Sequence, residues 1–325
     1  MASEEQLSPE HWAVATFGTA ELGDPRRTDR LVSIAAALAH DPAASLPRCM
    51  RTLSDTHAAY RWLDTEQISH EQVMTPHWMQ TRQLASQRKP VLLIADTTEL
   101  NYSMHRRTKG LGPVGQGKNG RGFYVHTMLA MDATTQHLLG CAYQEPLVRQ
   151  PAPKGETRAQ RRERPRESQI WERSVQQIGP APSPGQWVHV EDRYSDIFTF
   201  WQTCEQMHCA FLVRAAQDRR VVLPQAPEEQ DPETERLLHL ARQLPAQGGR
   251  IQPVPAEHHR KARDAFVQIS FTQVFIQPPQ NGDALSKTAV KAWIVRAWEP
   301  SPPEGVEALD WILISSLPVF TVEDA

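Results

Sequence analysis

A short apolar run that leads into a carboxylate is the feature that most constrains this fold. The stretch Val91–Tyr102 reads VLLIADTTELNY, so five apolar residues precede Asp96. A run this apolar and this short is typical of a buried central strand rather than a helix. Because burying an unpaired charge is costly, an acid at the end of such a strand needs a hydrogen-bond network, a cation or a metal ion.

A second stretch repeats this pattern. Trp187–Asp196 reads WVHVEDRYSD, and Asp192 closes another short apolar strand. Mg²⁺ prefers one or two carboxylates together with water and phosphate oxygens, so two aspartates at strand ends suit a divalent cation. Glu191 precedes Asp192 within the strand, and its side chain should face the other side of the sheet. We therefore predict Asp96 and Asp192 as metal ligands on adjacent strands.

Length and composition predict two or three modules with a sizeable core. The chain has 325 residues, of which 40% are hydrophobic. A formal net charge of −3 argues only weakly against nucleic-acid binding, because the charge is unevenly placed along the chain. The four cysteines form no CxxC pair and no zinc spacing, which favours buried, reduced thiols.

Targeting and membrane signals are missing from the sequence. The first residues, MASEEQLSPEHW, lack a basic segment followed by an apolar core, so we expect no signal peptide. No apolar run approaches the length of a membrane span. The sequence therefore predicts a soluble, cytoplasmic protein without a membrane partner.

Residues 1–70 are expected to form a helical module. Asp24 can cap a helix that runs from Arg26 to about His40, with Pro25 in its first turn. Residues 26–61 contain six arginines and three aspartates. Spacing alone favours a solvated helix face for these arginines. The functional alternative is a small helical DNA-binding module whose arginines meet phosphates and groove edges.

A Gly-rich basic loop follows the first acid-bearing strand. Its segment GPVGQGKN nearly matches a phosphate-binding loop, but Asn119 replaces the required Ser or Thr. The residues after it are expected to form a strand, whereas the phosphate-binding loop opens a helix. The sequence instead favours a flexible basic loop near a phosphodiester backbone, in which Lys109, Lys118 and Arg121 supply the charge.

The remaining pattern predicts a mixed sheet with flanking helices. The hairpin strands FYVHTMLAMD and HLLGCAYQEP follow the first strand, and then come helix, strand, helix and strand. Residues 71–216 would form the first part of this core. Residues 217–308 are expected to be a β-rich insertion with a short helix at Glu233–Leu244. Residues 309–325 would return to the core through the strand DWILISS.

Several separated motifs, in one order, resemble a known family. They are WAVATFGTAELGDPRRTDRLVSIAAALA, THAAYRWLDTEQIS, IADTTELNY, VEDRYSDIF and LDWILISSLPV. In these stretches the chain resembles the IS4 family of transposases, in particular members like the Tn5 transposase. The resemblance implies an RNase H-like α/β fold, a triad of two Asp and one Glu, and cut-and-paste DNA transposition. It implies that Asp96 and Asp192 are the first two catalytic carboxylates and bind Mg²⁺ or Mn²⁺, with two ions in an intact member.

The same resemblance suggests further contacts with transposon-end DNA. Arg214 would contact a phosphate near the site, and Trp311 would stack on a flipped base, although a core tryptophan is the alternative for Trp311. The contacts implied for the N-terminal module are Arg26, Arg27, Arg30, Tyr60 and Arg61.

One departure from the family pattern limits the expected activity. The family's third carboxylate lies in a helix with the pattern Y-x-x-R-x-x-x-E-x-x-x-x-x-x-K, shortly after the strand that Trp311 opens. Glu323 and Asp324 are the late acids here, and neither fits that pattern. We therefore expect a chain truncated before this helix, with little catalysis and without the region through which such transposases dimerise. The alternatives are an end-binding protein or inhibitor without catalysis, an RNase H-like metal-dependent nuclease, and a decayed reading frame without a role.

Overall fold

The chain folds into N-terminal helices followed by a large mixed sheet. The computed structural model describes residues 7–115, 120–150, 153, 155–157, 160, 166–224, 234–256, 261–280 and 284–325.

The N-terminal helices begin at side chains that cap their first turns. Ser8, Asp24 and Thr52 each accept a hydrogen bond from a backbone N–H of the helix that follows, and Ser69 forms a capping box with Gln72. The Asp24 cap explains why the helix predicted from Arg26 to about His40 agrees closely with the observed Pro25–His40. The helices are α1 (Pro9–Phe17), α2 (Pro25–His40), α3 (Leu46–Cys49), α4 (Leu53–Leu63) and α5 (His70–Ser86).

The first part of the sheet has the predicted mixed topology. Its strands lie in the order β4, β3, β1, β5 and β6; β3 is antiparallel to both neighbours, and β1, β5 and β6 are parallel. This confirms the expected α/β class, with an RNase H-like mixed sheet, flanking helices and an N-terminal helical module. The strands are β1 (Val91–Asn101), β2 (Gly112–Pro113), β3 (Arg121–Asp132), β4 (Leu138–Leu147), β5 (Trp187–Glu191) and β6 (Ala210–Arg214).

The β-rich part of the chain extends this same sheet. Strand β12 is antiparallel to β6, and β11 and β10 follow it outward. The predicted helix at Glu233–Leu244 is shorter than expected, because Thr234–Arg236 pairs as a strand with β7. The bounds are β7 (Arg220–Val222), β8 (Thr234–Arg236), β9 (Gly248–Val254), β10 (Arg263–Ile276), β11 (Val290–Trp298) and β12 (Asp310–Ser315).

The two faces of the sheet have different coverings. The helix-covered face packs against α5 and against three later helices in one core cluster, which includes Trp78, Trp201 and Phe211. The opposite face holds a smaller cluster around Trp293 and Val319. The later helices are α6 (Ile170–Ile178), α7 (Phe198–Gln206) and α8 (Leu237–Gln243).

The described residues bear on two further predictions, the lack of a membrane span and the state of the cysteines. None of the helices described is long and apolar enough to cross a membrane. The cysteines carry free thiols, as predicted, although Cys49 and Cys141 are only half-buried while Cys204 and Cys209 are buried.

Candidate active site and nucleic-acid interface

Asp96 lies on the exposed side of β1. Val91, Leu93 and Ala95 are buried in the core on the helix-covered face, so strand alternation directs the Asp96 side chain to the opposite face. The expectation that β1 ends at Asp96 is wrong, because β1 continues to Asn101 in register with β3. The neighbour β5 ends after Glu191 instead, and Asp96 is exposed where β1 runs past it.

Asp192 follows directly from the end of β5. Its Oδ1 accepts a hydrogen bond of 2.8 Å from the backbone N–H of Tyr194, which caps a short turn. The parallel register pairs Ile94 with Val190, and continuing it by two residues brings Asp96 beside Asp192. Neighbouring strands lie about 4.8 Å apart, so both exposed carboxylates lie on one face within the reach of a single cation.

Arg214 lies on the other side of Asp192. The register of β5 and β6 pairs Glu191 with Val213, so the next pair along is Asp192 and Arg214. The Arg214 side chain is exposed at the end of β6. The structure therefore brings together three residues that the sequence singled out: two acids and one cation on adjacent parallel strands.

Two polar residues that the sequence analysis did not predict continue this row of side chains across the sheet. Thr127 of β3 is the register partner of Asp96, and Gln144 of β4 is the partner of Thr127. The Gln144 Nε2 donates to the Thr127 Oγ1 at 3.0 Å, and the Gln144 Oε1 lies 3.0 Å from His70 Nε2. Finding them requires the strand register, which no local sequence pattern gives. We call Gln144, Thr127, Asp96, Asp192 and Arg214 the polar row.

The residues behind the polar row are buried and of a different kind. Glu191 faces the helix-covered side, as expected, and burial together with the nearby Asp192 charge raises its pKa. Burial lowers the pKa of His189 to about 3 and that of His126 to about 4. The His126 Nδ1 lies 2.9 Å from the Thr97 hydroxyl. At neutral pH the imidazoles of His126 and His189, in the buried layer behind the polar row, are therefore neutral.

A buried ion pair fixes the turn that follows the second acid. The Asp196 Oδ2 accepts backbone N–H bonds from Ala216 and Gln217, each 2.7 Å long, and its Oδ1 accepts from Arg219 Nε at 2.6 Å. The Arg219 guanidinium lies 4.6 Å from the centroid of the Trp201 ring. This brace of Asp196 and Arg219 ties the end of β5 to the end of β6, where the polar row lies.

Trp311 lies near the polar row on the same face of the sheet. The register pairs Leu313 of β12 with Arg214, and Trp311 is two residues away on the same side of the strand. The Trp311 side chain is half-buried near the start of β12. Its position is compatible with base stacking and with core packing, so the stacking role stays a prediction.

Two of the four predicted arginines of the N-terminal module, Arg26 and Arg61, are exposed, whereas Arg27 and Arg30 are half-buried. The Arg26 guanidinium is 90% exposed and lies 3.0 Å from the Asp24 carboxylate. Arg30 on the same helix lies 3.6 Å from Asp55. Arg61 is exposed on α4. The preceding residue is Tyr60, whose side chain is 46% exposed. These side chains are available to a partner, and their DNA contacts stay predictions.

Arg27 has a different environment from its neighbours. Its Nη1 donates to the Leu22 carbonyl oxygen at 3.1 Å, and its Nη2 donates to Gln67 at 3.4 Å. Its own carbonyl oxygen accepts a bond of 2.9 Å from the Trp62 indole. In this structure Arg27 holds the module together, and a DNA contact would require some of these bonds to open.

The basic loop is only partly described. Lys118 lies outside the described residues. Arg121 begins β3, and its guanidinium donates to the backbone carbonyl oxygens of Arg106 and Thr108 at 3.4 and 3.1 Å. The Arg121 guanidinium is thus used to hold the loop, while the described loop cations Arg106, Arg107 and Lys109 are exposed.

The described residues fit a divalent cation with few protein ligands. Among them, no group of three or more His, Cys, Asp or Glu side chains is arranged to hold a metal ion. Asp96 and Asp192 are exposed, hard oxygen donors on adjacent strand ends. One Mg²⁺ bound by two carboxylates, with water and phosphate oxygens completing the shell, suits such a donor set.

Comparison with known proteins bears on the N-terminal module first. Residues 9–68 match the family model for the transposase DNA-binding domain, and they coincide with α1–α4. This match supports a transposase-like, DNA-binding chain. The chain is also similar to a solved piggyBac transposase synaptic complex with hairpin DNA, with a TM-score of 0.34 and 12% identity. That similarity covers 97% of this chain and 53% of the other, so this chain spans about half of that protein's length.

Proposed function

We propose that this chain is an IS4-type, transposase-like protein that binds transposon-end DNA through its N-terminal helices. The match of residues 9–68 to the transposase DNA-binding domain carries this proposal. The exposed cations Arg26 and Arg61 and the half-buried Arg30 would contact phosphates, with Tyr60 beside Arg61. Phosphate contacts of this kind supply most of the affinity and make binding depend steeply on salt.

The polar row is the part of the proposal that concerns chemistry. Asp96 and Asp192 would hold Mg²⁺ or Mn²⁺, and such an ion supplies charge stabilisation and an activated oxygen nucleophile at a phosphodiester. Arg214, next in the row, would orient the phosphate through hydrogen bonds from its guanidinium. Trp311 would stack on a base displaced from the duplex.

Two alternatives differ in what they require of these residues. In an end-binding protein or inhibitor, the N-terminal module alone would act; the lack of a third ligating side chain among the described residues favours slow or absent cleavage. An RNase H-like nuclease would use the same two acids. It would not require a transposase DNA-binding domain, so the match of residues 9–68 favours the transposase-like proposal over it.

The binding proposal is tested by salt-dependent gel shifts with transposon-end DNA. We expect the variant Arg26→Gln/Arg61→Gln to bind more weakly and with a salt slope lower by about 2, because two phosphate contacts are lost. The matched control is Arg250→Gln, an exposed arginine on β9. If the wild-type chain binds end DNA and random DNA equally well, recognition of transposon ends is excluded.

The metal proposal is tested by Mn²⁺ binding, followed by electron paramagnetic resonance, and by a nicking assay on the same DNA. We expect Asp96→Asn and Asp192→Asn each to abolish tight Mn²⁺ binding, whereas Asp264→Asn, at an exposed acid on β10, should not. Unchanged Mn²⁺ affinity in both row variants would exclude the site. Rapid nicking that Asp96→Asn abolishes would show that these two carboxylates suffice for cleavage and would overturn our expectation of slow or absent cleavage.

A further inference from the structure

Strands β1 and β3 continue past the polar row as an extended arm. They remain paired from Asp96 with Thr127 to Asn101 with Gly122. Asn101 lies five residues after Asp96, and at about 3.3 Å per residue the arm carries its tip about 17 Å from the acid. Residues 102–111, which we call the arm loop, read YSMHRRTKGL and lie at this tip. They contain three Lys or Arg residues and no acid.

The arm loop is held in place by hydrogen bonds and a ring contact that do not involve its own cationic side chains. Arg121 donates from its guanidinium to two loop carbonyl oxygens, and its backbone N–H donates to the Ser103 hydroxyl at 3.0 Å. The Tyr102 ring stacks on Phe123 with centroids 5.8 Å apart and an angle of 7° between the planes. The Ser103 hydroxyl in turn donates to the Asn101 side chain at 2.6 Å. The loop backbone is therefore fixed to the arm.

The loop cations remain available to a partner. Arg106, Arg107 and Lys109 are exposed, and within the described residues their side chains form no ion pair or hydrogen bond. The nearest acid along β1 is Glu99, which accepts bonds of 2.8 Å from the Gly115 N–H and 3.1 Å from the Tyr124 hydroxyl. A fixed group of cations without a neutralising acid attracts a polyanion strongly.

We propose that the arm loop is a second DNA-contact surface, which binds the phosphate backbone of the duplex held by the N-terminal module. This inference rests on the proposed function. At an axial rise of 3.4 Å for each base pair, a tip about 17 Å from Asp96 meets phosphates about five base pairs from the phosphodiester at the polar row. Arg106, Arg107 and Lys109 make the contacts, and Arg121 holds them in place.

The test measures the salt dependence of DNA binding by the full chain. The variant Arg106→Gln/Arg107→Gln removes two loop charges. The matched control, Arg88→Gln/Lys89→Gln, removes two exposed charges at the opposite end of β1. We expect the loop variant to lower the slope of log affinity against log salt by about 2 and to weaken binding several-fold, with the control unchanged. Equal slopes for the loop variant and the wild type overturn the inference.

Arg121 provides a second, independent variant. If it holds the loop, Arg121→Gln lowers the slope by more than the one charge removed, because the freed loop loses contacts of its own. Circular dichroism checks that each variant is folded. A slope change of one charge or less for Arg121→Gln, together with no change for the loop variant, excludes the arm loop from the interface.

The outcomes separate this inference from the function on which it rests. Wild-type protein that binds duplex DNA without salt dependence contradicts both proposals. If Arg26→Gln/Arg61→Gln weakens binding while the loop variant binds as the wild type does, the N-terminal interface stands and the arm-loop interface fails. Hydroxyl-radical footprints that lose protection about five base pairs from the cleavage position only in the loop variant support the arm loop directly.

Discussion

Two aspartates four residues apart, Asp192 and Asp196, lie in opposite environments. Asp192 is exposed in the polar row, and its carboxylate accepts one hydrogen bond, from the backbone of Tyr194. The Asp196 side chain is 1% exposed, and its two carboxylate oxygens accept bonds from two backbone N–H groups and from Arg219. The first carboxylate can bind a ligand from solvent, whereas the second is fully used within the protein.

The difference follows from where each residue stands relative to the strand end. Asp192 continues the alternation of β5 and therefore points to the face opposite Glu191. The short turn Arg193–Ser195 then redirects the chain, so that Asp196 meets the segment after β6. The comparison teaches that an acid near a strand end can provide either chemistry or rigidity, and that only its position in the fold separates the two.

The largest expected effect on stability comes from replacing the buried aspartate of this pair, Asp196. Asp196→Ala leaves the Arg219 charge buried without its partner, and we expect a loss of about 3–5 kcal/mol in the free energy of unfolding, measured in urea. Asp192→Ala should cost at most about 1 kcal/mol, because it removes one cap of an exposed turn. Similar losses for both variants would show that the two aspartates do not differ in the way the structure indicates.

A smaller effect, dependent on pH, distinguishes the polar row from the layer behind it. Burial holds the pKa of folded His189 at about 3, below its ordinary 6.5, so near pH 5 the unfolded chain binds a proton that the folded chain does not. The contribution to stability is present above pH 6.5 and is lost as the pH falls, at about 1.4 kcal/mol for each pH unit. His189→Leu should make urea stability less sensitive to acid by this amount.

The control for the histidine prediction is an exposed residue of the N-terminal module. His57 lies exposed on α4, so His57→Leu is the matched replacement against which the acid dependence of His189→Leu is compared. An equally steep loss of stability below pH 6.5 in His189→Leu and in the wild type would mean that other groups cause the acid sensitivity.

The sequence predicts the elements of this fold better than their partners. Apolar runs and capping residues identify β1, β5 and the N-terminal helices, since these signals are local. The strand pattern paired Asp96 with Asp192 and the family resemblance added Arg214, and the strand register then showed the three side by side. Thr127 and Gln144 were missed, because their membership of the row exists only through pairing between distant strands.

The brace of Asp196 and Arg219 and the arm loop show the same limit of sequence-based prediction for charged residues. Arg121 carries the charge expected of a DNA contact, yet its guanidinium holds carbonyl oxygens 13 and 15 residues away in sequence. Arg219 and Asp196 are separated by 23 residues and show no motif. The sequence shows which side chains are charged. Tertiary contacts decide which group neutralises each charge or binds to it.

The smallest expected effect tests whether Thr127 belongs with the exposed row or with the buried layer. Thr127→Val keeps the shape of the side chain but removes the oxygen that accepts from Gln144, and we expect a cost of about 0.5–1.5 kcal/mol in urea unfolding. Thr127→Ser keeps the hydroxyl and should restore most of the hydrogen-bond contribution. Because Thr127 and Gln144 are both half-buried, water can replace the lost bond. A much larger loss in Thr127→Val, approaching that of Asp196→Ala, would mean that this end of the row is a closed structural network like the brace rather than a surface open to a phosphodiester.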